Sequence, residues 1–205
     1  MGQRLNIEIK KKNEDKILAN CYYHWSAYTE TSLNLGIELL SNIINLKDEK
    51  NDVVKAIKLL QTTGAGLLEE DYNSLKENEK KYYKIGNDRN LGYICISKEQ
   101  IKNTRDWEEG RMTLELDDTD YLGYDSTIAF DVFDMMTKSE IKEDYSDEIK
   151  NGELNFNKLP VLDFDLTQMK LDDMVNFKNA IPEIEKNYGF FKIKGDKNYI
   201  YQIIY

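Results

Sequence analysis

The chain has 205 residues, enough to close one sizeable core, and its 40% hydrophobic and 11% aromatic content excludes a disordered polypeptide despite 32% charged residues. A formal net charge of −10 opposes direct binding to nucleic-acid phosphates. No apolar run approaches the roughly 20 residues that span a membrane, and Met1-Gly2-Gln3-Arg4 leads into a charged pattern rather than a signal peptide, so a soluble cytoplasmic protein is expected.

Gln3 to Lys12 alternates, with Leu5, Ile7 and Ile9 on one face and Arg4, Asn6 and Glu8 on the other, which predicts a half-buried strand. Asn13-Glu14-Asp15 turns the chain, and Lys16 to Trp25 returns as an antiparallel strand, because so short a connection cannot make a crossover. Thr29 to Leu46 places Leu33, Ile37, Leu40 and Ile44 on one helical stripe. Asp52 caps a second helix that buries Val53, Ile57 and Leu60, and Thr63-Gly64-Ala65-Gly66 ends it. Asp71 to Ile85 reads as a third, exposed helix.

From Leu91 the period shifts toward two. Leu91 to Ser97, Arg111 to Asp117 and Thr127 to Phe133 read as strands, with a short helix over Lys98 to Arg105 capped by Ser97. Lys138 to Lys158 is charged and poor in large apolar residues, which predicts an excursion or mobile loop. Pro160 to Leu166 resumes an alternating strand. Leu171 to Lys186 forms a last helix that Pro182 should break or end, and Tyr188 to Lys194 and Tyr199 to Tyr205 make a closing hairpin. The sum is a single α+β domain over residues 1–205, an antiparallel or mixed sheet packed against two or three helices.

Cys21 and Cys95 lie in apolar runs and read as reduced, buried thiols; with one histidine in the chain, a Cys/His zinc site lacks ligands. Thr63-Gly64-Ala65-Gly66 lacks the Lys-Ser/Thr of a phosphate-binding loop and does not follow a strand. No cofactor and no resident metal are expected. Asp131 with Asp134, and Asp163 with Asp165, could meet around a divalent cation only if their strands adjoin; the same spacing fits the wet face of an edge strand.

Two features point outward. Asp106 to Glu185 holds 22 acidic and 7 basic residues against 16 and 21 in the remainder, so negative charge is concentrated in one stretch. Closely spaced carboxylates can imitate a phosphate track and steer a basic partner, a role open to Glu115, Asp117, Asp118, Asp120, Asp163 and Asp165; charge runs also simply solvate a surface. The second feature is Cys21-Tyr22-Tyr23-His24-Trp25-Ser26-Ala27-Tyr28, which gathers the only histidine with a tryptophan and three tyrosines at a strand-to-helix junction. Tyr22, His24 and Trp25 could anchor a partner, or the cluster could pack the hairpin onto the helix. A Cys21–His24 dyad is disfavoured, since residues three apart on a strand point to opposite faces.

Met1-Gly2-Gln3-Arg4-Leu5-Asn6 and Tyr22-Tyr23-His24-Trp25-Ser26-Ala27-Tyr28 resemble uncharacterised phage and prophage proteins of low-GC bacteria. The resemblance covers about the first 30 residues and implies a mobile-element origin, a class that includes inhibitors of host defence such as anti-CRISPR proteins. The expected function is therefore a phage-type inhibitor whose acidic surface occupies the basic groove of a host protein, a CRISPR effector or another nuclease, without touching nucleic acid or membrane. An enzyme or nucleotide-binding protein with a pocket around Tyr23, His24 and Tyr28 is the alternative, and a phage structural or accessory subunit is a third.

Overall fold

The computed structural model describes residues 3–86, 92–117 and 125–205. Strands β1 (Leu5–Lys11) and β2 (Ile17–Tyr23) form the expected hairpin, with Ile7 opposite Cys21 and Asn6 opposite Tyr22. Helices α1 (Thr29–Asn42) and α2 (Asp52–Thr62) follow, separated by a 3-10 turn over Ile43–Leu46. The cap of α2 is Asn51 rather than Asp52: its side chain accepts hydrogen bonds from the Val53 and Val54 amides at 3.1 and 3.2 Å. Asp52 instead pairs with Lys11 at 3.0 Å.

Gly64 has φ of +82° and ends α2 as expected. Gly66 serves a different purpose. A Cβ there would lie 2.6 Å from Gly86 Cα, so its hydrogen side chain is what lets two backbone segments cross. The helix expected over 71–85 is replaced by two short pieces, α3 (Glu69–Ser74) and α4 (Glu77–Lys80), which bury none of their residues. Without an apolar stripe nothing holds a longer helix together.

Strand β3 (Tyr93–Cys95) leads to α5 (Lys98–Arg105), whose Ser97 cap accepts from the Gln100 amide at 3.1 Å, and then to β4 (Gly110–Leu116), β5 (Thr127–Asp131) and β6 (Phe133–Thr137). The excursion expected at 138–158 is ordered as α6 (Lys138–Asp144) and α7 (Ser146–Lys150). Its Ile141 and Leu154, with Leu159 just beyond it, close a small core with Phe190 and Ile200. Scattered singly among charges, they carry no periodic signal.

The strand expected over 160–166 shrinks to β7 (Val161–Leu162), because Asp165 turns the chain: its Oδ1 accepts from the Thr167 amide at 2.8 Å and hydroxyl at 2.7 Å. Helix α8 (Leu171–Glu185) runs through Pro182 rather than stopping there, and β8 (Phe190–Ile193) and β9 (Tyr199–Ile203) close the chain as a hairpin.

These strands form two sheets, ordered β3-β2-β1-β4-β5 and β6-β9-β8-β7. The first is mixed: β1 and β4 are parallel, its other pairs antiparallel. The fold is α+β. Leu5, Ile7, Ile9, Cys21, Met112 and Leu114 point from one face of the larger sheet into the main core, where they meet Leu33 and Leu39 of α1, Leu59 and Leu60 of α2, and Met174 and Phe177 of α8. Burying that apolar face is the main stabilising term, worth about 25 cal/mol per Å² removed from water. Among the described residues, no helix is long and apolar enough to cross a membrane.

Candidate functional site: an aromatic surface beside a buried polar layer

The other face of the larger sheet is polar by the alternation that makes its partner apolar. Asn6, Glu8 and Asn20 project there and are nonetheless buried, because α5 and the residues after it lie across them. Burial obliges these groups to find partners. Asn20 Nδ2 donates to Asn6 Oδ1 at 2.6 Å, Asn6 Nδ2 donates to Glu108 Oε2 at 3.1 Å, and Arg105 Nε donates to Glu8 Oε1 at 2.5 Å. Arg111 pairs with Glu108. The side-chain hydrogen bond that Arg105 donates to Glu8 raises the Arg105 pKa above its already high ordinary value. The layer thus fixes the 105–109 segment to the sheet.

That fixation presents Trp107. The Arg4 guanidinium lies 5.5 Å from the Trp107 ring centroid, and Glu109 Oε2 accepts from the Arg4 amide at 2.8 Å. Burial raises the Tyr22 pKa, and the positive charge of nearby Arg4 opposes that shift. The Tyr22 hydroxyl shares a 3.1 Å hydrogen bond with His24 Nδ1, and the His24 ring stands edge-on to Trp25 with centroids 5.0 Å apart. Tyr93 packs on Tyr22 at 5.3 Å. A continuous path therefore runs from Trp107 through Arg4, Tyr22 and His24 to Trp25.

Both tryptophans of the chain are on this path and both are open to solvent, Trp25 by 46% and Trp107 by 63%. The sequence-derived trio Tyr22, His24 and Trp25 is brought together, with Tyr22 buried as the base and Trp25 as the exposed edge. Trp107 and Tyr93 come from distant parts of the sequence, and Arg4 from just before the strand that pairs with β2. An indole flanked by Asp106, Glu108 and Glu109, in no apolar stripe, is the signal that could have found Trp107.

Chemistry of the nucleophilic kind is poorly served here. Burial pushes the Cys95 thiol up to about 12 and raises that of Cys21 well above its ordinary value, so both are held protonated. Cys21 faces the main core, opposite in direction to Tyr22 and His24. Tyr23 is buried too, its hydroxyl donating to the Thr63 carbonyl at 3.1 Å, so it forms core wall rather than a pocket with His24.

The acidic residues have different surroundings. Asp117 keeps 8% side-chain exposure and pairs with Lys12 at 2.7 Å; Asp163, 71% exposed, pairs with Lys194 at 2.5 Å. Asp165 is engaged by Thr167, whose hydroxyl and amide hold its carboxyl below the usual range. Glu115 is half-buried on β4. Asp118 and Asp120 lie outside the described residues. The two aspartate pairs do not build a cation site: among the described residues, no group of three or more His, Cys, Asp or Glu side chains is placed to hold a metal.

No family model, no curated protein and no solved structure matches this chain.

Proposed function

We propose that this chain is a binding protein that docks on another protein through the Trp25–Trp107 surface, with Tyr22, His24 and Arg4 holding the two indoles in place. The observation that carries this reading is the joint exposure of both tryptophans on one braced path. Tryptophan and arginine dominate the residues that anchor protein interfaces, because a rigid ring buries a large area at small entropic cost. A ring needed only for packing would be turned inward.

In its finer form the proposal is a phage-type inhibitor in the host cytoplasm whose partner is a basic protein, a CRISPR effector or another nuclease. The net charge of −10 and its concentration between residues 106 and 185 favour such a partner by long-range steering. The resemblance of the first 30 residues to phage proteins fits the same class. Asp117 and Asp163 already hold lysines, so they contribute to the field more than to direct contacts.

The test is affinity capture of tagged wild type and of a Trp25→Ala/Trp107→Ala variant from host cells. A basic protein retained by the wild type and lost from the folded double variant is the expected result. Equal retention by both overturns the assignment of the anchors.

A further inference from the structure

Strand β6 is the edge of the smaller sheet, and among the described residues it pairs only with β9. The register shows which way its backbone points. Ile203 donates its amide to Gly189, away from β6, so Gln202 and Ile200 turn their backbone groups toward β6 and meet Asp134 and Met136. The backbone N–H and C=O of Met135 consequently point to the open side. Met135 is 56% exposed, and no bulge, proline or lysine within the strand blunts this edge.

Each face of the edge strand adjoins a hollow of its own. On one face lies a space of about 380 Å³ walled by Phe130, Phe133, Met135, Leu166 and Tyr201, with Arg111 at its side. On the other, Asp134 and Met136 border a second hollow together with Asp144 and Tyr145. Asp131, beside the first hollow, and Asp134 and Asp144, beside the second, are all exposed, and among the described residues none of the three has a side-chain hydrogen bond or ion pair.

We propose that β6 accepts an extended segment of a partner protein as an added strand, and that the segment it selects alternates apolar and basic residues. Main-chain hydrogen bonds to the open side of β6 would supply affinity. Because side chains of a strand alternate, every second residue would enter the apolar hollow while those between face Asp134 and Asp144. Charge decides against a second copy of this chain as the occupant: β6 paired on itself would bring the exposed aspartates of both copies together. This inference concerns a surface apart from the tryptophan anchors and stands or falls without them.

The experiment is a fluorescence-anisotropy titration of the full chain with labelled peptides of three kinds: alternating isoleucine and lysine, alternating isoleucine and glutamate, and the isoleucine–lysine composition in block order. Saturable binding of the first, with the other two at least about ten-fold weaker, is expected for register-dependent recognition of a basic strand. Asp134→Asn/Asp144→Asn should weaken binding about ten-fold, Met135→Pro should abolish it, and Trp25→Ala/Trp107→Ala should leave it unchanged. Should Met135→Pro fail to fold, a peptide N-methylated at alternate amides serves the same purpose from the ligand side, and should not bind. Equal binding of the glutamate peptide, undiminished binding of the N-methylated one, or a dimer in sedimentation that Met135→Pro dissolves would each overturn the proposal.

Discussion

The aromatic end of the larger sheet and the acidic stretch that follows it differ in what their side chains already have. Asp117 and Asp163 hold Lys12 and Lys194, and Asp165 holds Thr167, so part of the stretch's charge is already paired within the molecule. Trp25 and Trp107 are supported from beneath by Arg4, Tyr22 and His24 and keep much of each ring open to solvent. Counting charge along a sequence therefore overstates how much of it faces outward, whereas an unsatisfied surface shows itself only when the supports of each side chain are known.

The contrast is broken most forcefully at the tryptophans. Trp25→Ala and Trp107→Ala should each weaken partner binding by about 2 kcal/mol or more, measured by calorimetry, while moving stability by no more than about 0.5 kcal/mol. A similar loss in both quantities would mean that the rings pack the fold instead.

Arg105→Ala comes next. It strands the Glu8 carboxylate in the buried polar layer, but Arg105 is partly exposed, which reduces the penalty below that of a fully buried pair. Denaturant unfolding should show a loss of about 2 kcal/mol. Partner binding should fall as well, since the segment that presents Trp107 is tied down by this layer.

Asp163→Asn should be milder still. Removal of an exposed pair with Lys194 should change stability by less than about 0.5 kcal/mol, and its effect on binding should be confined to the association rate at low salt. A large change in dissociation rate would place Asp163 in the contact itself.

The smallest effect is a titration. Thr167 depresses the Asp165 pKa, so the carboxylate contributes stability that is fully present above its unfolded-state value of about 3.9 and lost as pH falls through the lower folded value. In Thr167→Val the NMR-observed pKa of Asp165 should move up toward the ordinary range. No movement would mean that the turn does not depend on this hydrogen bond.

Much of the fold was legible because periodicity reports burial directly: the β1–β2 hairpin, α1, α5 with its Ser97 cap, β4 and the closing hairpin all follow from it. The division into two sheets was not, because β5 and β6 are separated only by Val132 and the change of sheet occurs within one extended run. Asp163 and Asp165 alternate with Leu162, Phe164 and Leu166 as a strand would, yet the side-chain turn at Asp165 overrides the pattern. At the site, Tyr22, His24 and Trp25 were found as neighbours in sequence. Arg4 reaches them across the β1–β2 hairpin, but Trp107 arrives by the parallel pairing of β1 with β4, a contact that no local pattern encodes.

Radical footprinting of the affinity-purified complex tests the anchor assignment most directly. Trp25 and Trp107 should become protected from oxidation relative to the free chain, while Tyr199, exposed on β9 of the smaller sheet, keeps its reactivity. Tryptophans that remain as reactive in the complex as in the free protein would contradict the account.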